Sequence, residues 1–411
     1  MKKKLQISII LLALPFICLS VLAGVQEDEW EDEAAVEGKH YLVNLSLYYP
    51  ISINQSKHDS VNLNLSLIYG RVGYVRGIDL AGIAAIIEHR LQGVQIAGLM
   101  SVTGESGQGI QIAGLMSVSG NDFAGLQTSG LMSISGEQFK GAQFSGLMSI
   151  VGNRATLLQA SGLASIVGEE ATGGQISGGF NVVGNRFVGL QAAGLFNVTG
   201  EDCNGLQVGG LFNVAGGRLR GVQVGTFNVA AESRGVQIGV ANIGGTSDGL
   251  QIGVVNYTKD ENTGFPFGLV NLASNGHIRG VFWGGNSIAV TGGMKFVIGK
   301  FHSILSIGGF NLDDGINESL TYGFHYGMSF PMGRLVFNPD VGYRYRDNKS
   351  LFSNAQHPDQ QIFELRLLLE LPVSRHFSFV FGGGTQFKFD DKEALRDGRL
   401  YPLVIAGIEF Y

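Results

Sequence analysis

A glutamine recurs every sixteen residues from Gln95 through Gln111, Gln127, Gln143, Gln159, Gln175, Gln191 and Gln207 to Gln223, and then every fourteen at Gln237 and Gln251. Each sits in a phrase such as Gly189-Leu190-Gln191-Ala192-Ala193-Gly194-Leu195-Phe196-Asn197-Val198. A fixed short period means one small unit copied many times, so the repeat dictates architecture before any single residue does. Read with period two, Val94, Ile96, Gly98, Met100 and Val102 fall on one face, and Gln95, Ala97, Leu99, Ser101 and Thr103 on the other. That alternation is a strand signature. With 63 glycines, 8 prolines and only 15% charged residues in 411, the composition is that of ordered β-structure.

Two architectures accommodate the phrase. Removing a four-residue turn such as Ser119-Gly120-Asn121-Asp122 leaves about twelve residues, roughly 40 Å of strand, which tilted at about 45° covers roughly 28 Å of membrane normal. Gln95 and Ser101 lie symmetrically about Gly98, so antiparallel copies would set Gln against Ser or Asn. A parallel β-solenoid would instead stack Gln on Gln and build an Asn ladder from Asn181, Asn197 and Asn213. The spacing from Gln191 to Asn197 is six residues, whereas from Gln223 to Asn228, Gln237 to Asn242 and Gln251 to Asn256 it is five. In a continuous strand such a loss inverts every later side chain. The phrase therefore holds either a bulge near Ala97-Gly98 or a corner between two short strands.

The flanks favour the barrel. His40 to Ile51 and Val61 to Tyr69 read as strands, and Phe363, Leu365, Leu367, Leu369 and Leu371 alternate with Glu364, Arg366, Leu368 and Glu370. Phe377, Phe379, Phe381, Phe387 and Phe389 share one face of the next strand. The last residues, Tyr401 to Tyr411, resemble the aromatic terminal strand of bacterial outer-membrane barrels. Counting back from Tyr411 puts Glu409 in an apolar slot, while counting from Phe410 restores Ile408, Ala406 and Val404. The expected fold is all-β, a large antiparallel outer-membrane-type barrel of more than twenty strands built from the repeats. The alternative is a parallel β-solenoid flanked by antiparallel strands.

Met1-Lys2-Lys3-Lys4, the apolar run from Ile7 to Leu22 and Val21-Leu22-Ala23 read as a signal peptide. The expected division is a signal peptide at 1–23, an acidic, disordered tail at 24–39, N-terminal strands at 40–76, the repeat array at 77–290 and an antiparallel meander at 291–411. Past Cys18, the sole cysteine is Cys203, at a repeat position occupied elsewhere by Phe123, Phe139, Phe187 or Leu219, which reads as a packing residue. The run Glu27 to Glu33 reads as a solvated tail, and a net charge of −6 without a basic patch argues against nucleic acid.

The phrase Gly-[Leu/Val]-Gln-[Ile/Val]-Gly-[Leu/Val]-x-Asn, clean at Gly235 to Asn242 and Gly249 to Asn256, resembles a family of bacterial surface-repeat proteins over about residues 61 to 290. The resemblance implies an exported, envelope-associated protein of undefined activity with no catalytic residues to carry over. Ser101, Ser117, Ser133, Ser149 and Ser165 depart from it where Asn is usual.

Chemical motifs are sparse. Gly245-Thr246-Ser247-Asp248-Gly249 fits the nucleophile-elbow pattern but falls in a repeat turn. The eight histidines show no metal-ligand spacing. No catalytic, cofactor or metal residues are expected. The one site candidate is a set of lumen charges, Asp340, Arg344, Arg346, Glu364, Arg366 and Glu370, which would line a barrel wall and either tune solute selectivity or pair and hydrate the interior. The expected protein is a non-enzymatic outer-membrane or cell-surface structural protein of a Gram-negative bacterium, porin-like in the barrel reading and an adhesin or scaffold in the solenoid reading. Its expected partners are outer-membrane lipid, the barrel-assembly machinery through the C-terminal strand, and a surface ligand of unspecified kind.

Overall fold

The computed structural model describes residues 38–54, 56, 58–259, 264–312, 319–347, 359–390 and 399–411; the expected signal peptide and nearly all of the acidic tail lie outside them. Two sheets account for the described strands. One is parallel, apart from the short strand Ile51–Ser52, and runs from His40 to Ala273; the other is antiparallel and runs from His277 to Phe410. The break thus falls upstream of the expected one at residue 290.

The repeats are coils of a parallel β-solenoid, and the large antiparallel barrel is not formed. Phe123–Ser129 and Met132–Ser135 make one coil, and Gln138–Ser145 and Met148–Val151 stack on it with every equivalent residue in register. The physical reason is the glycine corners, which cut the phrase into strands too short to cross a bilayer. Gly125, at φ 136°, bends the first strand, and Gly130-Leu131 and Gly136-Glu137 join strands, giving a three-sided coil. A side chain at the first bend would strike the previous coil, since a Cβ on Gly125 would stand 1.9 Å from the Gly109 carbonyl oxygen. Leu157 occupies this position in its own coil at φ 101°, a region costly for a side-chain-bearing residue.

The shortened coils lose their residue at a corner. Gly225, Gly239, Gly253 and Gly268 each stand where Gly209-Gly210 stood, and Asn228, Asn242, Asn256 and Asn271 remain buried. Faces are therefore preserved between the glutamine and the asparagine without a bulge, and the second lost residue falls at the register shift between Ala215 and Arg218. The single glycine also makes room for the asparagine, because a Cβ on Gly225 would lie 2.6 Å from the Asn213 side-chain nitrogen.

The solenoid interior is largely polar. Each glutamine donates from Nε2 to Oε1 of the preceding one, unbroken from Gln251 to Gln95 at 2.8–3.0 Å. The asparagines from Asn181 to Asn271 donate the other way, toward the C-terminal end, at 2.8–3.0 Å. Where serine replaces asparagine, hydroxyls pair within a coil, as Ser145 with Ser149 at 2.6 Å, or between coils, as Ser101 with Ser117 at 3.3 Å. Phe123 and Phe139 stack on the third interior row, and Cys203 lies fully buried in that row between Phe187 and Leu219. Burial pushes its thiol up to about 12.

Asp79 terminates the glutamine ladder. It accepts from Gln95 at 3.2 Å on one side and from Asn64 at 2.7 Å on the other, and Asn64 in turn accepts from Asn44. Donation therefore converges on Asp79 from both directions, which a carboxylate satisfies and an amide cannot. Burial pushes its carboxyl up from 3.8 to about 6 against those two hydrogen bonds.

Eight long strands close the second sheet, His277–Gly285, Ile288–Ile298, Phe301–Asn311, Leu320–Met328, Leu335–Asp347, Gln360–Pro372, Phe377–Asp390 and Arg399–Phe410, and the short Phe330–Met332 adds a ninth beside Leu335–Asp347. Neighbours in sequence pair antiparallel, and the last returns to the first through Phe410 opposite Gly280. The result is a closed up-and-down barrel of a size that side chains can fill.

The last solenoid coil docks on the outside of the barrel wall. His302 and Ile304 line the interior, so Ser303 between them faces out, where it receives a 3.2 Å hydrogen bond from Asn271 and donates to the Leu269 carbonyl. Tyr326, opposite Ser303, donates to the Pro266 carbonyl and meets Phe265 and Phe267. The asparagine ladder thus ends on a barrel hydroxyl.

Candidate functional site in the charged barrel interior

Strand alternation sorts the barrel residues by chemistry. In Gln360–Pro372, Phe363, Leu365, Leu367 and Leu371 are exposed while Glu364, Arg366 and Glu370 are buried. The same holds around the wall, with Phe282, Met294, Ile307, Val341, Phe379 and Val404 outside. An apolar exterior around a charged interior reverses the usual order of a protein in water.

All six lumen-charge candidates, Asp340, Arg344, Arg346, Glu364, Arg366 and Glu370, are buried. Arg366 makes a bidentate pair with Asp340, Nε to Oδ1 at 2.7 Å and Nη2 to Oδ2 at 2.9 Å, across the register that sets those residues opposite each other. Arg344 pairs with Glu364, which His325 also contacts at 2.9 Å. Glu370 belongs to a separate group with Glu409, Lys295, Arg279 and Tyr411. Lys295 reaches Glu409 at 3.0 Å and Glu370 at 3.6 Å, and Arg279 reaches Glu409 at 2.7 Å while lying over the Tyr411 ring.

Small residues make room for these groups. A Cβ on Gly342 would collide with the His325 ring, and one on Gly327 with Asp340 and His302. Leu368, Leu403 and Ile405 close over the charges beside Trp283, whose ring faces Arg366. A cavity of about 30 Å³ lies among Lys295, His302, Asp340 and Arg366. That is room for about two waters, far from an aqueous channel. The charges pair in the interior of a small eight-stranded barrel, which agrees with the pairing reading of these residues and not with the barrel of more than twenty strands expected from the repeats.

Sequence reasoning missed Arg279, Lys295, His302, His325 and Glu409. Glu409 carried a signal: the phase counted from Phe410 turns it inward, where it is buried. Lys295 sat among apolar residues with nothing to name its partner 114 positions away. Ser247 ends the strand Ala241–Ser247, and Leu250–Thr258 follows, so no strand-to-helix elbow is built there. Among the described residues no group of three or more His, Cys, Asp or Glu could hold a metal ion. No protein-family model, curated protein or solved structure matches this chain.

Proposed function

We propose that this chain is an exported, non-enzymatic envelope protein: a β-solenoid scaffold held at the outer membrane of a Gram-negative bacterium by its eight-stranded barrel. The observation that carries the reading is the reversed polarity of the barrel wall, apolar outside and ion-paired inside. Strand length supports it, since eleven residues from Ile288 to Ile298 span about 36 Å and, tilted at about 45°, roughly 26 Å of bilayer normal. The antiparallel closure of the C-terminal strand on the first barrel strand suits delivery by the barrel-assembly machinery. The surface-repeat resemblance and the leader-like N-terminus point the same way.

Fractionation with outer membranes, resistance to carbonate extraction and faster migration of unheated samples on gels are expected. Leu367→Arg should lower barrel stability by about 2–4 kcal/mol if the residue faces the bilayer midplane. Release as a soluble monomer without detergent would sink the proposal.

A further inference from the structure

The solenoid is as polarised as the barrel. In eleven coils, from Val94–Thr103 to Leu250–Thr258, the two sides carrying the glutamine and the serine or asparagine contain no Asp, Glu, Lys or Arg. The charges of those coils all fall on the third side, where they pair between neighbouring coils, as Arg154 with Glu170 at 3.4 Å and Arg218 with Asp202 at 3.4 Å. The corner between the uncharged sides is mostly leucine, including Leu99, Leu115, Leu131, Leu147, Leu195 and Leu211, each 42–46% exposed, with Gly179, Thr226, Val240 and Val254 at the equivalent place in other coils. Such a continuous apolar surface on a water-soluble protein would be an aggregation liability.

From this we infer that the solenoid lies in one leaflet of the membrane, its leucine corner toward the bilayer centre and its charged side toward water. The inference rests on the membrane reading of the barrel. Four observations carry it. Backbone groups at the apolar corner are satisfied between coils, with Leu131 N donating to Leu115 O at 2.9 Å and Leu147 N to Leu131 O at 3.0 Å, as hydrocarbon requires. The buried amides of the Gln and Asn rows are satisfied by their ladders, except for the Asn181 oxygen, which ends its row without a donor. A side of about five residues is roughly 16 Å long, so a three-sided coil is about 14 Å deep, close to half of a hydrocarbon core of about 30 Å.

The fourth observation is the docking. The last coil sits on the outer barrel wall near one rim, so successive coils lead away from the wall. Phe265, beside the charged side, meets Phe301 at the rim, and Leu269, on the leucine corner, meets Ser303 two residues deeper. The far half of the same strands keeps Val290, Ile307 and Tyr322 exposed, an apolar wall for the opposite leaflet. One apolar side carries open grooves, of about 790 Å³ beside Leu80 and Ile96 and of about 600 Å³ where Ala160 lies between Phe144 and Ile176, shapes that acyl chains can enter.

The test uses the full chain with Cys18→Ser and Cys203→Ala, reconstituted in phosphatidylethanolamine/phosphatidylglycerol vesicles carrying nitroxide on the acyl chains. A fluorophore is placed on single cysteines: Leu131→Cys or Leu195→Cys on the corner, Glu137→Cys on the charged side, and Leu367→Cys on the barrel. Several-fold quenching is expected at 131, 195 and 367, with little at 137. Quenching at 367 without quenching at 131 or 195 overturns the inference and leaves the barrel reading standing. No quenching at any position overturns both. Quenching at 131 that requires a second labelled copy, and not lipid nitroxide, overturns it in favour of self-association.

Discussion

Solenoid and barrel both hide polar side chains and expose apolar ones, yet they satisfy the hidden groups by opposite chemistries. In the solenoid the hidden groups are mostly neutral amides and hydroxyls; in the barrel they are ion pairs. Strand direction explains the difference. Parallel coils in register place each residue on its own copy, at about 4.8 Å. Only a side chain that complements itself can repeat there, as Gln does by donating and accepting at once. A repeated charge would repel itself in a medium that screens poorly. Antiparallel barrel strands set unlike residues opposite each other, so Asp340 can meet Arg366. Asp79 breaks the solenoid rule where no copy stacks on it: its neighbours are Asn64 and Gln95.

The most direct way to break this comparison is to put a charge into the ladder. Gln159→Glu removes the donor to Gln143 and buries an anion between Gln143 and Gln175. A loss of about 3–5 kcal/mol is expected in denaturant unfolding, as for an uncompensated buried charge, with recovery in acid when the carboxyl regains a proton. An unchanged midpoint at neutral pH would refute the self-complementarity argument. In the barrel, Arg366→Ala leaves Asp340 without its bidentate partner and should cost about 3 kcal/mol or more, read as loss of the fast-migrating unheated form at a lower temperature. The double variant Arg366→Met/Asp340→Leu should cost distinctly less, because no charge is stranded.

Asp79 sharpens the comparison through pH. Its folded carboxyl titrates near 6 against 3.8 for the ordinary group, so the folded chain holds a proton that the unfolded chain has lost. The resulting stability is fully present below about pH 4 and is lost as pH rises through about 6, a change of the order of 3 kcal/mol. Asp79→Asn should remove that part of the slope, and a slope identical to the parent's would assign it elsewhere. The smallest effect expected is a gain. Leu157→Gly relieves a left-handed φ at a bend where the neighbouring coils carry glycine, and should raise stability by about 1 kcal/mol. Partial loss would mean that the exposed leucine is held by contacts worth more than the strain.

Much of the barrel was legible one strand at a time. The phase of Phe363 to Leu371 separates the exposed apolar row from Glu364, Arg366 and Glu370 without knowledge of the fold. The solenoid was harder, because its phrase is nearly palindromic about Gly98: parallel and antiparallel pairing both give polar-on-polar and apolar-on-apolar contacts. The five-residue spacing at Gln223 to Asn228 was the clue that a corner, and not a continuous strand, lies between the two polar residues. A sequence does not print φ, and Gly125 at 136° and its copies mark the bend that makes a coil.

By itself, the sequence determined an all-β chain, a unit of sixteen residues, the rows of Gln and Asn, and which barrel residues share a face, because these follow from period and chemistry along one strand. Only the tertiary structure decided that the rows stack parallel, that eight strands close, and that Glu409 meets Lys295 and Arg279. Those outcomes depend on which strands become neighbours, and that is set by corner geometry and by hydrogen bonds between residues far apart in the chain.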